Sequence, residues 1–258
     1  MPLMIRRLIL GFALVAPLAT ILIWRHSIPL AIGVLFASHM LILYPTLSPN
    51  SRWLGSVVSR FATNRREVWL TIDDGPDPDD TEAILDLLDE FAARATFFVK
   101  GKSAETYPDL LQAIADRGHS LGNHSFTHPL GSFWCLPPAS IAREIDLASD
   151  AIERISGTRP TLFRAPVGHK NPFVHALLDE RGMTLVGWSA RGWDTVSSPA
   201  VAATRVMRGV KPGSIVLLHQ GTGDSSDSES LSCIRQVLRR LADEGYRCVI
   251  PTREQLIE

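Results

Sequence analysis

Two long runs free of Asp, Glu, Lys and Arg, residues 8–24 and 28–43, open the chain, with only Arg25, His26 and Ser27 between them. Each is about the minimum length that crosses a hydrocarbon core of ~30 Å, and the short polar break predicts a hairpin of two transmembrane helices. A cleaved signal peptide has the same basic start and apolar stretch. The second apolar run, and the lack of a small-x-small cleavage site leading into polar sequence, favour the hairpin. From residue 67 the pattern changes. Short runs rich in β-branched and aromatic residues at 68–72, 95–99, 119–122, 162–164, 184–188, 214–218 and 247–250 predict strands. Amphipathic segments such as TEAILDLLDEFAAR and SLSCIRQVLRRLADEG lie between them, and several end in a helix-stopping Gly. This alternation predicts an α/β fold, with parallel strands inside and helices outside. Seven strands can close into a barrel or remain open, and periodicity alone does not choose. The chain therefore divides into a membrane segment (1–50), a basic linker (51–66) and a globular domain (67–258), with a polar loop expected at 221–230.

Charge sharpens this division. Residues 1–66 hold seven arginines and no acid, which leaves 19 of the 26 basic residues against all 27 acidic ones in residues 67–258. An acidic domain is a poor nucleic-acid binder, so no nucleic-acid partner is expected. The basic end beside apolar sequence points to a bilayer surface. Arg6 and Arg7 fall on the same side of the hairpin as Arg52, Arg60, Arg65 and Arg66, and Arg25 alone marks the turn. The positive-inside rule then places both ends, and the globular domain, on the cytoplasmic side of the inner membrane. A single span would place the domain outside. His39 reads as an interfacial side chain. Cys135, Cys233 and Cys248 show no paired or metal-binding spacing and read as small apolar residues.

The chemistry-bearing residues gather at one edge. In VWLTIDDGPDPDD an apolar strand ends in the adjacent carboxylates Asp73 and Asp74, which repel each other and call for a cation. His124 and His128 follow the third strand, Arg164 ends the fourth, Asp194 follows the fifth and His219 ends the sixth. In parallel α/β folds, active sites assemble at that edge. Two imidazoles four residues apart, with a carboxylate from another strand, suffice for a three-ligand metal site with open positions.

TIDDGP, HSFTH, RAPVG, GWSARGWDT and IVLLH, in this order, resemble the five motifs of the polysaccharide deacetylase family, the NodB-type domains of carbohydrate esterase family 4, over roughly residues 67–251. The resemblance implies a distorted parallel (β/α) barrel. It also implies metal-dependent hydrolysis of a linear amide C–N bond, the removal of an N-acyl group from an amino sugar. By position it implies Asp73 as general base and Asp74, His124 and His128 as ligands of a divalent ion, most simply zinc. Arg164 would hold the base, and His219 would be the general acid. Trp188 and Leu217 would line the acyl pocket, and a backbone N–H near Val167 would face the oxyanion. Two positions depart from the motifs. Val167 stands where an aromatic is usual, and Arg191 stands where an acid normally orients the histidine; Asp194, three residues on, is the substitute. His119, His169 and His175 match no motif position. Phe133 and Trp134 read either as part of an acyl or lipid pocket or as a loop anchor.

These readings favour a membrane-bound N-deacetylase or deformylase of an amino sugar, the carbohydrate being a glycolipid where the anchor delivers it. The alternatives are an outward-facing cell-envelope polysaccharide deacetylase and a non-catalytic sugar-binding scaffold with the same fold.

Overall fold

The computed structural model describes residues 2–221 and 229–257. Helices α1 (Pro2–Trp24) and α2 (Ile28–Leu47) lie side by side, and the side chain of Ser27 caps the start of α2. Both are long and apolar enough to cross a membrane. Leu8, Leu14, Leu18, Ile21 and Phe36 stand on their outer surface, while Ala16 and Ala31 are buried.

The rest of the chain is built from β1 (Arg60–Phe61), β2 (Glu67–Asp73), α3 (Thr81–Glu90), β3 (Ala95–Val99), α4 (Gly101–Thr106), α5 (Pro108–Asp116), β4 (Ser120–Asn123), α6 (Pro138–Ser156), β5 (Leu162–Phe163), α7 (Val174–Asp179), β6 (Thr184–Leu185), β7 (Ala190–Arg191), α8 (Pro199–Gly209), β8 (Ser214–His219), α9 (Glu229–Asp243), β9 (Arg247–Cys248) and β10 (Leu256–Ile257). Strands β2 to β6 run parallel in sequence order, and β8 joins parallel to the free side of β2. The segment that leaves β5's side as β6 returns as β7 beside Val216 and Leu217 of β8, so the curled sheet meets itself near its C-terminal edge. At the opposite edge the gap is filled from the stretch before the domain. Val58 N donates to Leu185 O, Gly187 N donates to Val58 O, and β1 pairs antiparallel with β8 and β10.

The distorted barrel expected from the motifs is present, on a ten-stranded sheet rather than about seven strands. The additional strands are two-residue pairings, too short for a period-two pattern to mark. Five predicted strands are longer or shorter by one to three residues, 119–122 is displaced by one, and 95–99 is unchanged. Within 51–66, Leu54, Val57, Val58 and Phe61 are buried, so part of that stretch packs into the domain.

Alternation along the strands separates two environments. Val68, Leu70 and Ile72 of β2 face the outer helices together with Phe97, Val216 and Leu218. Trp69, Phe98, Ile215, Leu217 and Trp188 pack on the inner face. The inner row of β2 continues through Thr71 to Asp73, and that of β8 continues through Leu217 to His219, whose Cα is the partner of Asp73 in the ladder. Register alone therefore brings an acid and a histidine together at the C-terminal edge.

The hairpin is seated on this edge. Lys170 is buried; its backbone N–H donates to Thr46 O, and Nζ donates to Ser48 O (2.7 Å) and Pro49 O (2.8 Å), satisfying carbonyls at the end of α2. Burial pushes the Lys170 amine down to about 7. Asn50 bonds the backbone of Trp188 through both ends of its amide. Gly168 has a φ of 75° and lies so close to its neighbours that a Cβ there would stand 2.6 Å from the Trp188 ring and 2.7 Å from Pro49. Arg6 donates to Pro172 O from the start of α1.

Candidate active site

Asp73 lies at the end of β2 with its side chain buried and accepts a 2.6 Å bond from Arg164 Nη1. Arg164 follows β5 and is itself fully enclosed. Its remaining donors reach Thr71 Oγ1, Val186 O and Gly187 O, and its guanidinium carbon lies 4.2 Å from the centre of the Phe98 ring. The backbone carbonyl of the same residue accepts a 2.8 Å bond from His124 Nδ1. That acceptor fixes the tautomer of His124 and leaves the Nε2 lone pair facing inward.

Around that lone pair stand the other candidate ligands. His128 Nε2 is 3.1 Å from His124 Nε2, and Asp74 Oδ1 is 3.4 Å from His128 Nε2 and 3.8 Å from His124 Nε2. One ligand atom from each of the three lies within 4.8 Å of the others. Asp74 Oδ1 is buried and has no hydrogen-bond partner among the described residues. A buried carboxylate oxygen without a donor is costly, and two imidazole lone pairs converging on it form a donor set of two nitrogens and one oxygen that fits a divalent cation. Burial pushes His128 down to about 3, His124 adding to the shift while Asp74 opposes it, so the ring is neutral and its nitrogen free to bind. For Asp74, burial works upward, but His124, His128, His219 and Lys100 together hold its carboxyl below the usual range.

His219, ending β8, is oriented by Asp194: its backbone N–H donates to Asp194 Oδ2 at 2.7 Å and Nδ1 lies 3.1 Å from Asp194 Oδ1. Burial alone would depress this imidazole, but the bond and charge of Asp194, with Asp73 and Asp74 behind it, raise it above its ordinary value. The residues expected from the sequence thus converge. Trp188 and Leu217 are buried on the inner face beneath the site, and Val167 is 40% exposed at the edge of the Arg164 loop. Of six non-glycine residues with positive φ among those described, five lie here: Asp74 (78°), Ser125 (64°), His128 (52°), Val167 (57°) and Trp193 (59°). Such conformations cost on the order of 1–3 kcal/mol each. They gather where ligands and walls must be aimed.

Several supporting residues carry no motif signal in the sequence. Thr71 and Asn50 act through two hydrogen bonds each, and Lys100 acts on Asp74 only through space. Most of the loop expected at 221–230 lies outside the described residues, but its two ends, Gly221 N and Ser230 Oγ, both donate to Asp80. His119 and His175 are buried away from the metal candidates and pushed down by burial to about 4 and about 3. Phe133 is a loop anchor against Phe163, whereas Trp134 lines a groove of about 780 Å³ between the hairpin and the loops around residues 136 and 172. Of the three cysteines expected to be small buried residues, Cys233 and Cys248 are buried thiols, each pushed up by burial to about 12, whereas Cys135 is exposed on a surface turn.

Comparison with known proteins identifies the family. The polysaccharide deacetylase family matches residues 61–186. A peptidoglycan-N-acetylglucosamine deacetylase of Bacillus cereus is 32% identical over 206 residues, 76% of this chain and 91% of the relative. This chain belongs to the polysaccharide deacetylase family. The peptidoglycan-N-acetylmuramic acid deacetylase PdaC of Bacillus subtilis is 34% identical over 72% of this chain, which spans only 38% of that longer protein. The family 4 carbohydrate esterase of Streptomyces lividans, solved in complex with acetate, superposes with a TM-score of 0.66 at 30% identity, covering 76% of this chain and 98% of that one.

The proposed base and a proposed metal ligand should separate in a simple measurement. His124→Ala should yield protein without bound metal, whereas Asp73→Asn should keep metal near the wild-type content with kcat lowered about 10²–10⁴-fold. Elemental analysis of both purified variants checks this, and equal metal loss in the two would reverse the division of roles between Asp73 and Asp74.

Proposed function

We propose that this chain is a metal-dependent hydrolase that removes an acetyl or formyl group from the nitrogen of an amino sugar presented at a membrane, the sugar being carried on a lipid. The observation that carries the chemistry is the meeting, at one strand edge, of the Asp74, His124, His128 cluster with two oriented pairs, Asp73 with Arg164 and His219 with Asp194. A divalent cation held by the three ligands, zinc by the nature of the donors, supplies Lewis acidity toward the acyl carbonyl and makes water a better nucleophile.

The remaining work falls to the protein's own groups. Asp73 takes the proton of the attacking water. Arg164 fixes which oxygen of that carboxylate is free, since Oδ1 is occupied by the guanidinium. His219, raised by Asp194, holds the proton that the departing amine needs. Trp188 and Leu217 form the apolar floor for the acyl group. A backbone N–H near Val167 meets the developing oxyanion. With all these groups present, a non-catalytic scaffold is the weaker reading.

The membrane part of the proposal rests on the hairpin and on its direct contacts to the loop after Arg164. The arginine distribution supports a cytoplasmic position for the domain. The groove beside Trp134 opens between the hairpin and the domain and supports a lipid-borne substrate over a wall polymer.

The decisive assay is acetate and formate release from small N-acyl amino sugars by the full chain in detergent, before and after chelation. Chelation should abolish release and zinc should restore it; release that survives complete metal removal would refute the mechanism. The pH profile gives a second test. As an acid, His219 is active below its raised pKa and the rate falls as pH rises through that value. Asp194→Asn removes the charge that helps to raise it, so the alkaline limb should move to lower pH with a loss of roughly tenfold or more; an unmoved limb would remove Asp194 from the site. For orientation, a reporter fused after the last residue should fluoresce as a cytoplasmic protein and show no export-dependent phosphatase activity. The reverse pattern would favour the outward-facing polysaccharide deacetylase.

A further inference from the structure

Arg191 occupies a motif position where an acid was expected, and the structure gives that arginine an unusual setting. It ends β7 with its Cα paired to Leu217, two residues ahead of His219 in β8. Its guanidinium carbon lies 3.9 Å from the centre of the Trp193 ring and 5.2 Å from that of Trp188, so it is stacked against two indoles. Trp188 in turn lies 5.9 Å from the guanidinium carbon of Arg164, the residue that holds Asp73. One aromatic side chain therefore separates Arg191 from the reacting centre. The backbone at Trp193 takes a left-handed conformation (φ 59°), and this half-exposed residue lays its ring on the guanidinium.

Stacking occupies the faces of a guanidinium and leaves its five donors in the plane, where only an acceptor approaching edge-on can use them. Arg191 Nε is buried without a hydrogen-bond partner, and the side chain forms no ion pair among the described residues. Burial works against its charge, and Asp194 and Asp73 act on it only from a distance. A half-buried cation held against two indoles, with a buried orphaned donor and no carboxylate in contact, lacks the partner that such a fork is shaped for.

Resting on the deacylase reading above, we infer that Arg191 is a specificity-determining residue that binds an anionic oxygen group, a phosphate or a carboxylate, borne by the amino-sugar substrate next to its acylated nitrogen. Trp188 and Trp193 hold the guanidinium plane for edge-on, two-bond contact. A sugar 1-phosphate, as in a phosphate-linked glycolipid, and a sugar carrying a carboxylate side arm present the same chemistry to it.

The test compares the full chain in detergent with Arg191→Gln and Arg191→Lys. Its substrates are a neutral N-acetyl chitotetraose, N-acetylglucosamine 1-phosphate and an N-acetylmuramic-acid disaccharide. The kcat/KM preference for the better anionic substrate over the neutral one should fall about ten- to hundredfold in Arg191→Gln, with Arg191→Lys between the two. Which anionic substrate shows the larger fall assigns the phosphate or the carboxylate as the natural group. A parallel loss on all three substrates, leaving the preference intact, would overturn the proposal.

Calorimetric binding to the wild type, which needs no turnover, separates this inference from the deacylase reading. Glucosamine 1-phosphate should bind at least about tenfold more tightly than glucosamine, and the difference should shrink as salt is raised. Equal binding of the two excludes the phosphate, and equal binding of muramic acid and glucosamine as well overturns the anion site even in an active deacetylase. Preferential binding without any acyl release supports the anion site and refutes the deacylase reading instead.

Discussion

Inside the barrel, a full positive charge is held away from water by one carboxylate, and the rest of the site is arranged around that pairing. Arg164 is enclosed on every side, and Asp73 is its only ionic partner among the described residues. Removing one member of such a pair strands the other, at a cost of about 3–5 kcal/mol. The pair is a weak source of net stability for the same reason: both charges had to be desolvated. Its value lies in geometry. The side chain of Arg164 fixes one oxygen of Asp73 while its carbonyl fixes the ring of His124, so a single residue sets the angle between the proposed base and a proposed metal ligand.

Much of this could be read from the chain because the fold repeats one simple rule. A strand that alternates inward and outward must end on whichever parity the core demands, and β2 ends inward on Asp73 while β8 ends inward on His219. The parallel ladder then carries the two side by side. The strand ends were therefore informative before any coordinates. Residues whose contribution depends on distant loops were not. Lys170, Asn50 and Val58 have no periodic signature, because each is defined by what the hairpin or the preceding stretch brings against it. The two-residue strands were illegible because pairing, not propensity, creates them.

The two departures from the motifs have different physical characters. At Val167 a β-branched residue is held in the left-handed region, a backbone state that disfavours that side-chain type, and its side chain stands partly in solvent where an aromatic wall would have been. This change opens the site. At Arg191 the sign of the charge is reversed, but the histidine keeps its orienting acid, because Asp194 supplies both acceptors from three residues further on. A local substitution is tolerated there because the loop geometry had already placed a second carboxylate within reach.

The packing of Gly168 against both Trp188 and Pro49 couples the N-terminal hairpin to the pocket. The indole that floors the site rests on a glycine, the glycine rests on the first residues beyond α2, and Asn50 ties the same indole's backbone from the other side. The end of the hairpin is thus a structural wall of the pocket. A fragment trimmed to begin at residue 67 would expose the underside of Trp188 to water and leave Lys170 without its carbonyls, and its pocket would differ in shape from that of the whole chain.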